Sequence, residues 1–170
     1  TDRFDEYRRV KALAGPEPER PPGAVEDPLR KQWAGERTRQ MQGEHNIPHI
    51  TEGFKRVDFP PQAMPQDGEG VVINSHQLNA ACRERGIWNL VYVGFAINWC
   101  LLASPGGMID MSRMGYMCST VRQATTAVEN RETCTGETAK EIALWRLSLM
   151  FGYVFDLDPF LSALKGVSDS

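Results

Sequence analysis

Cys100 is the side chain in this 170-residue sequence that is best placed to act as a nucleophile. It follows a short apolar run at residues 90–93, which predicts a strand covered on both faces, and Gly94 allows the backbone to bend after it. From Cys100 onward the pattern predicts a helix over 100–114, which the Pro-Gly-Gly at 105–107 must bend or interrupt. A thiol at a helix start meets unpaired backbone N–H groups, which stabilise a thiolate and can hold an oxyanion. This arrangement predicts acyl transfer through a covalent intermediate.

The residues around Cys100 admit a structural explanation as well. A cysteine that follows an apolar strand is often a small buried hydrophobic residue. Asn98 is of a type that caps helix N-termini. Phe95 and Trp99 flank the segment, where they either shape a substrate pocket or belong to the core.

Three segments of the sequence together resemble the isochorismatase-like cysteine hydrolases. They are GFAINWCLL at 94–102, the pattern PGGM-x-x-M-x-x-x-GY at 105–116, and VRQATTAVEN at 121–130. The resemblance covers residues 69–155, about half of the chain. It implies an α/β fold whose cysteine, here Cys100, attacks an amide or a related C–N or C–O carbon of a small molecule.

The same resemblance implies further features of the site. The peptide bond between Phe95 and Ala96 would be cis, and the backbone N–H groups of Ala96 and Cys100 would form the oxyanion hole. The substrate pocket would be lined by residues of the same loop and by one histidine of the preceding helix; these residues are Ile97, Asn98, Trp99 and His76. For His76, a place on a helix surface is the competing interpretation.

The sequence departs from this family at two positions that matter for catalysis. The family pairs its cysteine with an Asp that ends the first strand and with a Lys that ends the strand before the preceding helix. No Asp near the N-terminus follows a buried strand, and Asn74 stands where the Lys is expected. Lys55 lies in an irregular segment and is a poor substitute. We expect the Asp to lie outside this chain, as in the C-terminal part of a longer enzyme, and the Lys to be lost or rearranged.

Strands and helices alternate after residue 69. The pattern predicts four strands, at 71–73, 89–95, 116–121 and 153–155, with helices between them. One of these helices begins at Ser75. Another runs from about 135 to 151, and its predicted buried face contains Ile142, Trp145 and Leu149. This order predicts a three-layer, mainly parallel sheet with helices on both faces, Rossmann-like and isochorismatase-like, without its N-terminal strands. Because ligands bind at the carboxyl ends of such strands, the loops after the second and third strands should line one mouth.

Composition divides the chain and excludes several classes of protein. Residues 1–68 are rich in proline and charged residues and are expected to form only short helices, whereas residues 69–170 are expected to form the α/β core.

A net charge of −3 gives no sign of nucleic-acid binding, and no apolar run approaches the length of a membrane helix. His45 and His49 are separated by Pro48, and no phosphate-binding glycine motif is present, so we expect neither a metal nor a cofactor.

The expected function is therefore a cysteine hydrolase, and a non-catalytic or fragmentary family member that acts as an interaction or structural module is the alternative. Four widely spaced cysteines indicate free thiols in a reducing compartment, so we expect a cytoplasmic protein. The family resemblance implies a homo-oligomer with a small-molecule substrate.

Overall fold

The structure is a computed structural model that describes residues 2–19 and 27–168. The chain divides into two compact units, one formed by Thr1–Pro16 with Gly70–Ser170 and the other by Glu17–Glu69. The helices and strands, in chain order, are α1 (Asp5–Ala14), α2 (Pro28–Gln42), α3 (Ile47–Phe54), α4 (Ser75–Glu84), β1 (Asn89–Gly94), α5 (Cys100–Ala103), α6 (Met108–Arg113), β2 (Met117–Thr125), α7 (Thr138–Met150), β3 (Val154–Phe155) and α8 (Leu157–Ser168). Short 3₁₀ turns occupy Pro61–Ala63 and Cys134–Gly136.

The first unit is built on a parallel sheet with the strand order β1-β2-β3. Asn89 pairs with Met117 at the start of β1 and β2, and Thr120 pairs with Val154 in β3. Parallel strands need crossover connections, which the intervening helices supply. The α/β class expected from the sequence is confirmed.

The core lies on the side of the sheet that α6 and α7 cover. Its largest fully buried side chains include Ile97, Met108, Met111 and Leu144. Cys118 of β2 is completely buried among them. Tyr92 packs against the same cluster and donates to the carbonyl of Gly106 at 2.9 Å, and burial raises the pKa of its phenol.

The helix predicted over 100–114 is two helices, α5 and α6, because the Pro-Gly-Gly at 105–107 interrupts it. A Cβ at Gly107 would lie 2.8 Å from the carbonyl oxygen of Ser104, so only glycine fits this turn. The predicted strand at 71–73 is absent, although Val71 is buried. Asn74, not Ser75, caps α4, because its side chain accepts from the N–H of Gln77 at 2.9 Å.

Helix α7 turns a different face to the core from the one predicted. Leu144 and Leu147 are buried, whereas Ile142, Trp145 and Leu149 are 50%, 63% and 65% exposed. Apolar residues surround most of this helix, so the pattern alone does not determine which side meets the sheet.

Strand β1 lies at an edge of the sheet. Leu90 and Tyr92 pack against the core cluster, but Val91 and Val93 on the other face are 40% and 54% exposed. The prediction that both faces of this strand are covered is therefore wrong for the described residues. Parallel strands are normally covered on both faces, so the bare face of β1 is a notable feature of this unit.

Helix α1 belongs to the first unit and packs on α4. Arg9 donates from Nη1 to both carboxylate oxygens of Glu84, at 2.9 and 2.7 Å, while Tyr7 and Val10 are buried. His76 adds a contact between its Nε2 and the carbonyl oxygen of Ala14 at 2.7 Å.

The second unit contains the α-helices α2 and α3, and none of the residues in these two helices is buried. Asp27 caps α2 by accepting from the N–H of Leu29 at 2.9 Å. Lys55, directly after α3, donates to Glu52 at 2.6 Å. Among the described residues, no helix has the length and apolar character needed to cross a membrane.

Candidate active site

The loop that leads from β1 to Cys100 is joined to the loop that follows β2. The N–H of Thr126 donates to the carbonyl of Gly94 at 3.1 Å, and the N–H of Ile97 donates to the carbonyl of Thr126 at 2.9 Å. These bonds extend the pairing of the two strands beyond their regular part. The two loops meet at the carboxyl ends of β1 and β2, as the strand order predicted.

Asn98 makes the strongest connection between the two loops. Its Nδ2 donates to the carbonyl oxygen of Val128 at 2.9 Å, and its Oδ1 accepts from the N–H of Val128 at 2.9 Å. The helix-capping role expected for Asn98 is wrong, because α5 has no side-chain cap and Trp99 occupies its N-cap position. The side chain of Asn98 thus pairs with the backbone of Val128 as a neighbouring strand would. This fixes the position of Asn98, two residues before Cys100.

Cys100 is the first residue of α5, and its side chain is exposed. Its sulfur has no hydrogen-bond partner among residues 2–19 and 27–168, and neither a carboxylate nor a cation of that part of the chain is bonded to it. Helix α5 is only four residues long, so its macrodipole is small. The donors to consider next to Cys100 are therefore the backbone N–H groups of the loop.

Two such N–H groups lie on either side of the loop. The peptide bond between Phe95 and Ala96 is cis, and Ala96 is buried. The carbonyl oxygen of Ala96 accepts from Trp99 at 3.0 Å and from Leu101 at 3.1 Å, which closes a tight turn under Cys100. Within the described residues, the N–H groups of Ala96 and Cys100 donate to no acceptor.

The other sequence-predicted pocket residues have different surroundings. Ile97 is buried in the core cluster, whereas Phe95 and Trp99 are exposed beside the loop. His76 lies on α4, and its contact with the carbonyl of Ala14 explains this residue as part of the packing between α4 and α1.

The two positions that the sequence raised for the family Lys have other partners. Asn74 is engaged as the cap of α4. Lys55 belongs to the second unit, where it is bonded to Glu52. A lysine that the sequence did not single out, Lys140, is buried at the start of α7 and donates to Glu137 at 3.2 Å.

Glu129 is the carboxylate nearest in sequence to the Val128 contact. It accepts from the backbone N–H groups of Lys140 at 2.9 Å and Ala139 at 3.1 Å, which caps α7. A hydrogen bond from Thr133, followed by those two N–H groups, holds the pKa of Glu129 below its usual range. No sequence signal marks Glu129 as the cap of a helix that begins about ten residues later.

Comparison with known proteins adds one similar structure. No family model matches the sequence. Among solved structures, the chain is similar to an isochorismatase-like hydrolase from Alkaliphilus metalliredigens, with 24% sequence identity and a TM-score of 0.49. The match covers 63% of this chain and 57% of that chain, so this chain spans less than two thirds of that hydrolase.

The remaining cysteines differ from Cys100 in their surroundings. Cys82 and Cys118 are buried, and burial raises the pKa of both thiols. Cys134 is exposed like Cys100, but its sulfur lies 3.5 Å from the carbonyl oxygen of Arg131. This makes Cys134 the natural internal control for the reactivity of Cys100.

The histidine pair considered as a metal site lies in the second unit. The rings of His45 and His49 are 6.0 Å apart in an edge-on arrangement. In the part of the chain that the structure describes, no group of three or more His, Cys, Asp or Glu side chains is arranged to hold a metal ion. Two imidazoles alone fall short of the three or four ligands of a zinc site.

Proposed function

We propose that this chain is the C-terminal part of an isochorismatase-like hydrolase in which Cys100 attacks an amide or related C–N or C–O carbon of a small molecule. One observation supports the proposal: the sulfur of Cys100 is exposed, and the N–H groups of Ala96 and Cys100, at the two ends of the loop before α5, donate to no described acceptor. Acyl transfer needs a nucleophile and donors for the oxyanion, and these groups would supply both.

The reaction would proceed in two halves. The thiolate of Cys100 forms a bond to the substrate carbon, and the electron pair of the C=O bond moves to oxygen, where the two N–H groups stabilise it. Collapse of this intermediate breaks the C–N or C–O bond, and the leaving group takes a proton. Water then attacks the thioester, which releases the acid product and restores the thiol.

The proposed reaction also needs a group that accepts the proton of Cys100, and none of the described contacts of Cys100 provides one. Strand β1 has one bare apolar face, with Val91 and Val93 exposed, and lies at the edge of the sheet. A further parallel strand paired along this edge would end beside Gly94 and could bring a carboxylate to the loop. We therefore place the missing Asp on such a strand.

The thiol chemistry is tested by brief alkylation with iodoacetamide at pH 7 and peptide mass spectrometry. Cys100 and Cys134 are both exposed, so accessibility alone predicts similar rates for the two. We expect Cys100 to react about tenfold faster, because a catalytic cysteine is more nucleophilic than an ordinary exposed thiol. Equal rates for the two residues would contradict the proposal, and Cys82 and Cys118 serve as protected internal standards.

The second candidate is a non-catalytic family member that acts as an interaction or structural module. It is favoured by the absence, among the described residues, of any carboxylate or cation bonded to the sulfur of Cys100. Trapping with p-nitrophenyl acetate separates the two functions. A burst of nitrophenol with acetate found on Cys100 supports the hydrolase, and no acylation at any concentration supports the module.

We also propose that the chain forms a homo-oligomer and works in the cytoplasm. The exposed stripe of Ile142, Trp145 and Leu149 on α7 supports the first part, since such apolar stripes are commonly covered by another subunit. The four free cysteines support a reducing compartment.

A further inference from the structure

A surface cleft of about 440 Å³ lies between α6 and α7 in the first unit. Leu102 of α5, Ile109 of α6, Met150 of α7 and the adjacent Phe151 form its apolar walls. Its size falls within the range of sites that hold small organic molecules.

Two arginines, Arg113 from α6 and Arg146 from α7, also line this cleft. Neither makes an ion pair or a hydrogen bond with any described residue. By contrast, Arg9 and Arg122 of the same unit are each bonded to a glutamate. Two guanidinium groups that have no counter-ion among the described residues and lie beside an apolar wall are notable in a chain whose net charge is −3.

A second cavity lies between the residues of the cleft and the loop that leads to Cys100. This smaller cavity of about 20 Å³ shares Leu102, Arg146 and Phe151 with the cleft and is also lined by Ile97 and Asn98.

We propose that this cleft binds an organic anion made of a carboxylate head and a short aliphatic body. Arg113 and Arg146 bind the carboxylate, because the planar guanidinium group matches the two oxygens of such a head. The body lies against Leu102, Ile109, Met150 and Phe151 and gains free energy by leaving water. This site goes beyond the proposed chemistry of Cys100 and does not depend on it.

Isothermal titration of octanoate into the full chain tests the site. We expect 1-octanol, which has the same body without the charge, to bind about tenfold more weakly than octanoate. We expect Arg113→Gln and Arg146→Gln each to weaken octanoate binding about tenfold, in line with the loss of one charged hydrogen-bonding partner. Arg83→Gln is the matched control, because Arg83 is exposed on α4 and does not line the cleft.

Three results would overturn this site. They are equal affinities for octanoate and 1-octanol, octanoate binding that is unchanged in the double Arg113→Gln, Arg146→Gln variant, and competition by inorganic phosphate at the same concentration as octanoate. The third would reveal a simple anion contact with no role for the apolar walls. Unchanged octanoate binding in Cys100→Ser is expected, and it separates this site from the hydrolase proposal.

Discussion

The side-chain amide of Asn98 bonds both backbone groups of Val128, at 2.9 Å in each direction. Thirty residues separate the two in sequence, yet this contact and the bond from Ile97 to Thr126 make the loops after β1 and β2 one unit. The position of Cys100 therefore depends on a residue that lies outside its own loop. The backbone that leads to Cys100 is held in this way without help from the short α5.

Replacement of Asn98 by Ala removes both bonds. We expect the free energy of unfolding to fall by about 1–3 kcal/mol, because each hydrogen bond contributes about 1 kcal/mol and Val128 loses its partners. Urea denaturation measures the change. Asn98→Asp keeps the acceptor for the N–H of Val128 and should lose less. The control is Asn89→Ala, which changes an exposed residue of β1. If Asn98→Ala were as stable as this control, the two hydrogen bonds between Asn98 and Val128 would be dispensable.

Glu129 makes folding depend on pH in the acid range. Its pKa is lowered in the folded state, chiefly by Thr133, so the stabilisation is fully present above the pKa of an unfolded glutamate and is lost as the pH falls through the folded value. Glu129→Gln should therefore be less stable than the wild type at pH 7. The difference should shrink below about pH 4.5, near the unfolded glutamate pKa.

Thermal unfolding of both proteins between pH 3 and pH 7 measures this difference. Glu132→Gln serves as the control, since the Glu132 carboxylate bonds no described residue. A gap between wild type and Glu129→Gln that stays constant over the whole range would argue against the cap at α7.

Gly152 lies where the chain leaves α7 and passes close to β2. A Cβ at this position would be 2.6 Å from the carbonyl oxygen of Cys118 and 2.7 Å from the hydroxyl of Ser119. We expect Gly152→Ala to destabilise the fold by about 1–3 kcal/mol, because the backbone of β2 must move. Gly166→Ala is the control: its Cβ meets nothing within 4 Å, and alanine should stabilise α8.

The stripe on α7 predicts how the proposed oligomer responds to charge. Trp145→Lys places a cation in the middle of the stripe and should convert an oligomer into monomers in sedimentation velocity. Met114→Lys changes an exposed apolar residue elsewhere and should leave the mass unaltered. A wild type that sediments as a monomer at 100 µM, or a Trp145→Lys variant that keeps the wild-type mass, would remove the role proposed for this face.

Elements with strong local signals could be predicted from the sequence. The run before Gly94 is β1, the helix after Asn74 is α4, and the helix before Gly152 is α7. Local signals failed where the partner is distant. Ile142 and Trp145 are apolar in the pattern expected of a core, but the side of α7 that meets the sheet is set by the register of the whole helix against β2.

The same limit applies to the candidate site. Cys100 stands out because glycine, an apolar strand and a helix start surround it within a few residues. The roles of Asn98 and Glu129 depend on backbone groups 30 and 10 or more residues away, so their sequence neighbourhood carries no mark of them. Asparagine is a common helix cap, but Asn98 instead joins two loops, since a side-chain amide can bond the backbone in either role.

The attachment of α1 to α4 has a kinetic consequence. Arg9 and Glu84 are 75 residues apart, and the whole of the second unit lies between them in the chain. Closing so long a loop is entropically unfavourable, and the helix is held by one paired face. Detachment of α1 while the sheet stays intact is therefore a partial opening that this unit allows, and amide hydrogens in α1 should exchange long before those of β2. Any protease that cuts in α1 would report this opening without requiring the sheet to unfold.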